Sequence, residues 1–523
     1  MFAPLTPIRF LHRAAELFAS KVGVVSGARR FTYGEFGERC ARLAGALLRL
    51  GLQPGDRVAY LSFNNHQLLE GYYGVVMAHG VVMPLNVRLS APELTAILQH
   101  AEAKILFYEA DFAPLVQALQ PAVPSLQHGL CLDGDYETLL TDAFVYWPSV
   151  SSIDDSSTAE LFYTSGSTGT PKGVMLSHRT LYLHALSVAT LYENIETMTD
   201  LHTIPLFHAN GWGRPQASVM LGVRQVMVRR FDPSAVLQLI EQERATDMCL
   251  VPTMANALIN APDLGKYDVS SMRNIMIGGA ASSPELIARM EKVFPPPCRT
   301  FAGYGLTETA PVLTSARPKG TFQPASEEER LRRLAMAGWP VPNVELRVVS
   351  DDMKSVPRDM QTIGEVVVQG NHLMSGYFKD PEATAAAFKD GWFLTGDMAV
   401  WDEEGYIHIV DRKKEIIISG GENISSIEIE KAIFAHPEVL ECAVVAAPDD
   451  KWGEVPVAIV VRKPGSSLSA DALLDFIGRR LARFKLPRLI EFRDEPLPKT
   501  GTGKIRKLEL RERFWEGRER RVH

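Results

Sequence analysis

Tyr163-Thr164-Ser165-Gly166-Ser167-Thr168-Gly169-Thr170-Pro171-Lys172-Gly173 gathers hydroxyls, glycines and one ammonium directly after the run Ala159-Glu160-Leu161-Phe162. Glycine lets the backbone come close to an anion, and successive N–H groups form a concave nest. Hydroxyls and a lysine complete a phosphate cradle. This is not a Walker A loop, which needs Gly-Lys-Ser/Thr opening a helix; here Pro171 precedes Lys172 and Gly173-Val174-Met175 follows it. A plain turn has no need of so many hydroxyls and a lysine between two apolar runs.

Four further segments carry matching chemistry. In Gly303-Tyr304-Gly305-Leu306-Thr307-Glu308-Thr309, Glu308 offers oxygen to Mg²⁺ and Tyr304 offers a ring for a purine to stack on. Thr395-Gly396-Asp397 follows Gly391-Trp392-Phe393, and a carboxylate there suits the two hydroxyls of a ribose. Asp411-Arg412-Lys413-Lys414-Glu415-Ile416 precedes the loop Ser419-Gly420-Gly421-Glu422-Asn423-Ile424. Pro498-Lys499-Thr500-Gly501-Thr502-Gly503-Lys504 places lysines on a glycine-rich loop near the C-terminus. Activating a carboxylate with ATP would call for groups such as those of the first segments, since one anion attacks another and the site must neutralise the transition state. A glycine-rich loop with lysines is by itself an ordinary basic surface.

In their order and spacing these motifs resemble the adenylate-forming superfamily of acyl-CoA synthetases, luciferases and peptide-synthetase adenylation domains. The likeness runs from about residue 30 to 510. It implies that residues 164–170 and Lys172 hold the phosphates of ATP, and that Thr164 and Glu308 bind Mg²⁺. Adenine would pack between Tyr304 and the segment Gly279-Ala280-Ala281, with Gly303, Gly305, Leu306 and Thr307 completing that wall. Asp397 and Arg412 would contact the ribose, Lys414 would be the hinge of a mobile C-terminal domain, and Lys504 would be the adenylating lysine. Gly420, Gly421 and Glu422, with Gly303, would line a channel for coenzyme A; Trp452, Phe484 and Lys485 lie where relatives contact its nucleotide end. Trp339 after Gly338 is bulkier than the family pattern.

Pro205-Leu206-Phe207-His208-Ala209-Asn210-Gly211-Trp212-Gly213 should border the acyl pocket by the same resemblance, with His208 between the carboxylate and thiol sites and Trp212 gating a hydrophobic tunnel. Its His-x-Asn-x-Trp is similar to medium- and long-chain acyl-CoA synthetases and methylthiopropionate ligases. Pro205 to Gln216 holds no Asp or Glu to pair with an ammonium, which disfavours an amino-acid substrate. The implied reaction joins an apolar monocarboxylic acid, a medium- or long-chain fatty acid first, to coenzyme A through acyl-AMP with release of pyrophosphate. Alternatives are methylthiopropionate or an aromatic or alicyclic acid, loading of a carrier protein, a luciferase-like monooxygenase, or a non-catalytic ATP-binding regulator.

The elements that must position these residues are legible as periodicities. Helical patterns at Tyr33 to Leu50, 92–100, Ser234 to Glu243 and Pro284 to Val293 alternate with strand patterns at Arg57 to Phe63, Lys104 to Tyr108, Gly222 to Arg229, Met248 to Val251 and Asn274 to Ile277. Such alternation predicts βαβ units around parallel sheets. Residues 338–370 read as a small β-rich, barrel-like subdomain. Beyond Asp411, Ser425 and Glu428 predict a capping box, with strands at Cys442 to Ala446 and Val455 to Val461 and a helix over Ser469 to Phe484. The expected fold is mixed α/β: an N-terminal adenylation domain over 1–411, with two βαβ-type subdomains and the small β subdomain, then a mobile α+β domain over 412–523.

At 523 residues the chain exceeds a single core. Its 46% hydrophobic and 22% charged residues are ordinary for a soluble enzyme, and a net charge of −7 disfavours nucleic acid as a partner. Five scattered cysteines without metal-ligand spacing read as a reduced, cytoplasmic protein with neither disulfides nor a zinc site. The start lacks the pattern of a signal peptide, and the apolar stretch from Gly74 to Val87 is far short of the ~20 residues of a membrane span. A homodimer is compatible with this reading.

Overall fold

In a computed structural model of the protein, residues 3–164, 171–420, 422–499 and 505–516 are described. Ser165, Gly166, Ser167, Thr168, Gly169, Thr170, Gly421 and Lys504, all expected site residues, lie outside the described residues. The chain forms two compact units, Met1–Leu346 with Val368–Phe393 and Glu404–Ile407, and Arg347–Val367 with Leu394–Glu403 and His408–His523.

The first unit is built on two sheets. One has seven strands in the order Gly376–Tyr377, Lys172–Ser177, Thr158–Thr164, Val81–Pro84, Arg57–Leu61, Ile105–Tyr108, His128–Cys131. Its last five strands run parallel, while Lys172–Ser177 pairs antiparallel with its neighbours. The other sheet has nine strands, with a parallel centre of Arg299–Gly305, Asn274–Ile277, Asp247–Leu250, Thr199–His202, Arg224–Met227 and Val22–Ser26. Parallel strands need covered faces, which explains why their residues read as nearly continuous apolar runs. The apolar stretch after Gly74 is the end of a helix, His66–Met77, buried along its whole length, and the strand Val81–Pro84. His79 between them takes φ +61° and lets the chain reverse.

Helix Tyr33–Arg49 starts from a reciprocal capping box in which the Thr32 hydroxyl accepts from Glu35 N and Glu35 returns a bond to Thr32 N. Gly51, at φ +84°, follows its end, as the sequence suggests.

The second unit holds most of a small sheet in which Val344–Val349, Gly364–Gly370 and Trp392–Trp401 lie side by side and Ile407–Arg412 joins the last. Its C-terminal part packs helices Ser426–Phe434 and Ala470–Gly478 on a second sheet, with long strands Val439–Asp449 and Gly453–Arg462 at its centre. Two local expectations are corrected here. Only half of the expected capping box forms: Ser425 Oγ accepts from Glu428 N, but the Glu428 carboxylate turns to Lys485 Nζ, 2.7 Å from both of its oxygens. The helix expected to reach Phe484 ends at Gly478, and a short turn over Arg483–Lys485 follows. Gly478 offers little helix propensity, so the chain leaves the helix there.

Candidate active site

Strands Thr158–Thr164 and Lys172–Ser177 form an antiparallel pair whose last partners are Thr164 and Lys172, so the two residues that bracket the expected phosphate loop stand opposite each other. The segment Met374–Phe378 stitches this pair to the Glu308 loop. Ser375 N donates to Met175 O and Phe378 N to Gly173 O, at 2.9 and 2.7 Å, while Met374 N donates to Glu308 O at 2.8 Å. Tyr377 lies at the centre of this stitching. Its ring is 4.8 Å from the Lys172 ammonium, and its hydroxyl donates to Glu308 Oε1 at 3.0 Å. Burial first, and the neighbouring Glu308 carboxylate second, push the Tyr377 phenol well above its usual range, so it keeps its proton and remains a donor. Nothing local in the sequence marks Tyr377.

The loop carrying Glu308 is held by unusually close backbone contacts. Gly305 faces Pro311 O so tightly that a Cβ would stand 1.8 Å from it. At Gly303 a Cβ would strike the Met276 methyl at 2.0 Å. These glycines are therefore required by packing as well as by any ligand. Leu306 N donates to Pro311 O and to the Thr309 hydroxyl, which closes the loop around buried Thr307 and half-buried Tyr304 and Glu308. Gly279, Ala280 and Ala281 follow strand Asn274–Ile277 and are exposed, with Gly279 at φ +76°.

The stretch that holds His208 and Trp212 is a left-handed turn. Ala209, Asn210, Gly211, Trp212 and Gly213 all have positive φ, between 46° and 71°. Left-handed backbone costs about 1–2 kcal/mol for each non-glycine residue, so the surroundings must hold it. They do so at its C-terminal end. Gly213 backs onto buried His184, whose ring would lie 2.2 Å from a Cβ there, and His184 Nε2 accepts from Val312 N at 2.9 Å. Arg214 makes a buried ion pair with Asp200, Nη2 to Oδ1 at 2.6 Å, and its guanidinium lies over the Tyr192 ring. Trp212 is buried against the Gly278-Gly279 corner: a Cβ on Gly278 would stand 3.0 Å from the indole and 2.9 Å from Gly303 O. The structure thus brings Trp212, Gly279 and Gly303 together and adds Gly278, whose role was not expected.

A buried carboxyl also escaped the sequence reading. Glu160 accepts from Gln216 Nε2 at 2.7 Å, and the same nitrogen donates to Asn210 Oδ1 at 2.9 Å. Burial drives the Glu160 carboxyl well above the usual carboxylate range, so it stands there as a neutral acid and not as a partner for an ammonium.

In the second unit Asp397, buried, pairs with Arg412 Nε at 2.8 Å, so the two residues expected at a ribose are neighbours. Lys413 reaches away to Asp351 and Glu365, at 2.8 and 3.0 Å. Lys414 is exposed in the turn that follows, with its carbonyl accepting from Arg511. Gly420, at φ +61°, lies under Trp452: a Cβ would meet that ring at 2.7 Å, and Gly420 N donates to Trp452 O. Glu422 is exposed on the short strand beyond it. Phe484 is exposed, but Lys485 is committed to Glu428. The residues flanking the last lysine loop, Lys499 and Ile505, pair with each other, and half-buried Lys507 is anchored by Glu430 at 2.8 Å and Glu415 at 3.4 Å.

Residues 11–378 match the AMP-binding enzyme family, and residues 428–504 match the AMP-binding enzyme C-terminal domain. The chain belongs to the AMP-binding enzyme family. It is 38% identical to a long-chain-fatty-acid–CoA ligase of Thermus thermophilus, over 97% of this chain and 95% of that protein. It is 37% identical to a peroxisomal butyrate–CoA ligase, AAE11, of Arabidopsis thaliana, over 97% and 93%. Among solved structures it resembles ATP-bound MatB from Rhodopseudomonas palustris (TM-score 0.86, 29% identity, 98% and 99% coverage). It also resembles a Mycobacterium tuberculosis fatty acyl CoA synthetase (TM-score 0.76, 32% identity, 98% and 99% coverage). Membership of the AMP-binding family, with relatives of this kind along the whole length, makes the chain an ATP-dependent, AMP-forming acyl-CoA ligase acting on a small-molecule carboxylic acid. No helix among the described residues is long and apolar enough to cross a membrane.

Proposed function

We propose that this ligase activates an apolar monocarboxylic acid, a medium- or long-chain fatty acid first, and passes it to coenzyme A. The observation that carries this reading is the packing of Trp212 against Gly278 and Gly279 in a turn whose nearby carboxyl, Glu160, is held neutral. A wall of this kind offers apolar contact and no charge for an ammonium. Relatives are named for long-chain fatty acids, butyrate, 4-hydroxybutyrate, cinnamate and benzoate, so the family alone does not choose among them.

In the first half-reaction a carboxylate oxygen attacks the α-phosphorus of ATP, forming acyl-AMP and expelling pyrophosphate. Thr164, residues 165–170 and Lys172 hold the phosphates, and Tyr304 with Gly279-Ala280-Ala281 encloses the adenine. Asp397 and Arg412 take the ribose, and Lys504 bridges the carboxylate and α-phosphate oxygens. Thr164 and Glu308 would hold Mg²⁺, which would supply charge neutralisation at the phosphates. Their oxygen atoms fit a hard, oxygen-seeking cation. Among the described residues no cluster of three or more His, Cys, Asp or Glu forms a protein-only cage. The domain 412–523 then turns about Lys414, and the coenzyme A sulfur attacks the acyl carbon. AMP leaves and the thiol proton passes to solvent. His208 shapes this meeting point, and Gly420, Gly421 and Glu422 border the thiol arm.

The five free cysteines fit a reducing compartment, and we place the enzyme in the cytoplasm. A panel of acids differing in length and shape, assayed for pyrophosphate release with and without coenzyme A, tests the proposal. Fatty acids should lead the panel, and acyl-CoA should appear only with the thiol. Preference for an aromatic acid, or thioester formation only on a carrier protein, would overturn it.

A further inference from the structure

The left-handed turn around Trp212 is tied to the strand of the phosphate loop by one side chain. Gln216 donates both hydrogens of its amide, one to Asn210 Oδ1 and one to Glu160 Oε1. Glu160 shares a strand face with Thr164, two alternations further along. Asn210 sits between His208 and Trp212 inside the strained turn. All three polar side chains are 2% exposed or less, so water does not compete with these bonds. Within the same cluster Glu160 Oε2, Asn210 Nδ2 and Gln216 Oε1 find no hydrogen-bond partner among the described residues. A buried, partly satisfied polar cluster inside an apolar core is expensive and adds little to stability, so its retention points to fixing a geometry. Glu160 as a neutral acid removes the charge that would otherwise pull the amide to one side.

We infer that Gln216 is a positioning residue for acid selection: by bridging Asn210 to Glu160 it fixes the left-handed turn and so the place of the Trp212 ring. The inference rests on Trp212 shaping the acyl pocket, as proposed above. The Gln216 amide thereby joins this turn to strand Thr158–Thr164 through side-chain hydrogen bonds. Without the bridge, three non-glycine residues with positive φ would lose a restraint and the turn would relax toward ordinary backbone.

The test compares Gln216→Met, which keeps volume but removes both bonds, with Glu160→Gln, which keeps a neutral acceptor. The ratio of kcat/KM between a short and a long acid should shift about fivefold or more in Gln216→Met, the size expected for one buried hydrogen bond. It should stay as in the wild type in Glu160→Gln, and KM for ATP should hold in both. If Gln216→Met does not fold, Asn210→Gly serves: glycine tolerates the backbone and removes the acceptor, and the same shift is expected. A second readout does not depend on turnover. Acrylamide quenching of Trp212, taken as the difference between each protein and its Trp212→Phe counterpart, should be weak in the wild type and strong once the bridge is gone. Equal quenching with and without the bridge overturns the inference, even if no acid in the panel were activated. So does an unaltered acid ratio in a folded Gln216→Met, or a shift in Glu160→Gln as large as in Gln216→Met.

Discussion

Tyr377 donates its hydroxyl to Glu308 Oε1 at 3.0 Å while its ring lies 4.8 Å from the Lys172 ammonium. One side chain therefore sets the spacing between the proposed metal-binding carboxylate and the proposed phosphate-binding lysine. Tyr377→Phe keeps the ring and removes only the hydroxyl. A hydrogen bond to a charged acceptor contributes about 1.5–3 kcal/mol, and part of that loss should fall on the Mg²⁺-dependent step. The variant should need several-fold more Mg²⁺ for half-maximal pyrophosphate release, with its KM for the acid unchanged. A Mg²⁺ titration identical to that of the wild type would remove Tyr377 from the site.

Lys504→Ala should separate the half-reactions. If the lysine serves only adenylation, pyrophosphate release should fall by roughly 10²–10³, the range for removing one transition-state donor. Conversion of supplied acyl-AMP to acyl-CoA should survive. Equal damage to both steps would show that the lysine is not specific to the first.

Gly420→Ala should do the converse. Gly420 has φ +61° and lies 2.7 Å, measured from a Cβ, from the Trp452 ring, so an alanine is strained and displaces the indole. Thioester formation from supplied acyl-AMP should drop while adenylation is spared. Assaying the two steps separately checks this, and an unchanged thioester rate would take Gly420 out of the channel.

The sequence carries the parts of this site that are made by neighbours along the chain, and it is silent about those made across it. Strand Asn274–Ile277 and helix Pro284–Val293 sit where periodicity put them, because an apolar face and a Ser283 cap act locally. Asp397 beside Arg412, and Thr164 opposite Lys172, follow from motifs whose residues lie on adjoining strands. Tyr377 and the Glu160–Gln216–Asn210 bridge could not be read. Their partners are distant in sequence, and neither an isolated tyrosine nor a lone glutamate within an apolar strand reveals what tertiary packing brings to it. Gly278 was missed for a related reason: its neighbour is a ring from another loop. The short helix Ala470–Gly478 shows the reverse failure, in which a local periodic pattern runs on past the point where glycine lets the chain turn.

Acid should weaken this fold through its buried imidazoles. Burial lowers His178 from 6.5 to about 4, with the charge of His79 adding to the effect, and burial lowers His372 likewise to about 4. The unfolded chain takes up these protons near pH 6.5, whereas the folded chain resists until about pH 4. Stability is therefore full above 6.5 and lost as pH falls from 6.5 to 4, by about 3 kcal/mol for each imidazole. Asp247 acts with the opposite sign over part of this window, since burial raises its folded value to about 6. Its contribution is present at low pH and lost as pH rises through 6. Glu160, raised by burial, acts with Asp247, while His66 and His184, lowered by burial, act with His178 and His372. The imidazoles outweigh the carboxyls, so the urea midpoint should fall between pH 7 and pH 5. His178→Gln should flatten that fall; an unchanged slope would mean that His178 does not remain neutral in the fold.

Trp212 is the proposed determinant of the substrate. If its indole shapes an apolar tunnel, each methylene buried from the acid contributes about 0.8 kcal/mol of transfer free energy. In the wild type, kcat/KM should then rise several-fold per added carbon until the tunnel is full. Trp212→Ala removes the ring that now rests on Gly278 and Gly279, widening the mouth and taking away contact area. The dependence on length should flatten or move to longer acids. KM for ATP should hardly change, because the proposed adenine wall draws on Tyr304 and the backbone of Gly279 to Ala281. If Trp212 were core and nothing more, the variant would melt at a lower temperature and lose activity uniformly, with the length profile intact. Measuring the profile of both proteins over the same acids separates the two cases, and an intact profile would end the assignment of Trp212 to the acyl tunnel.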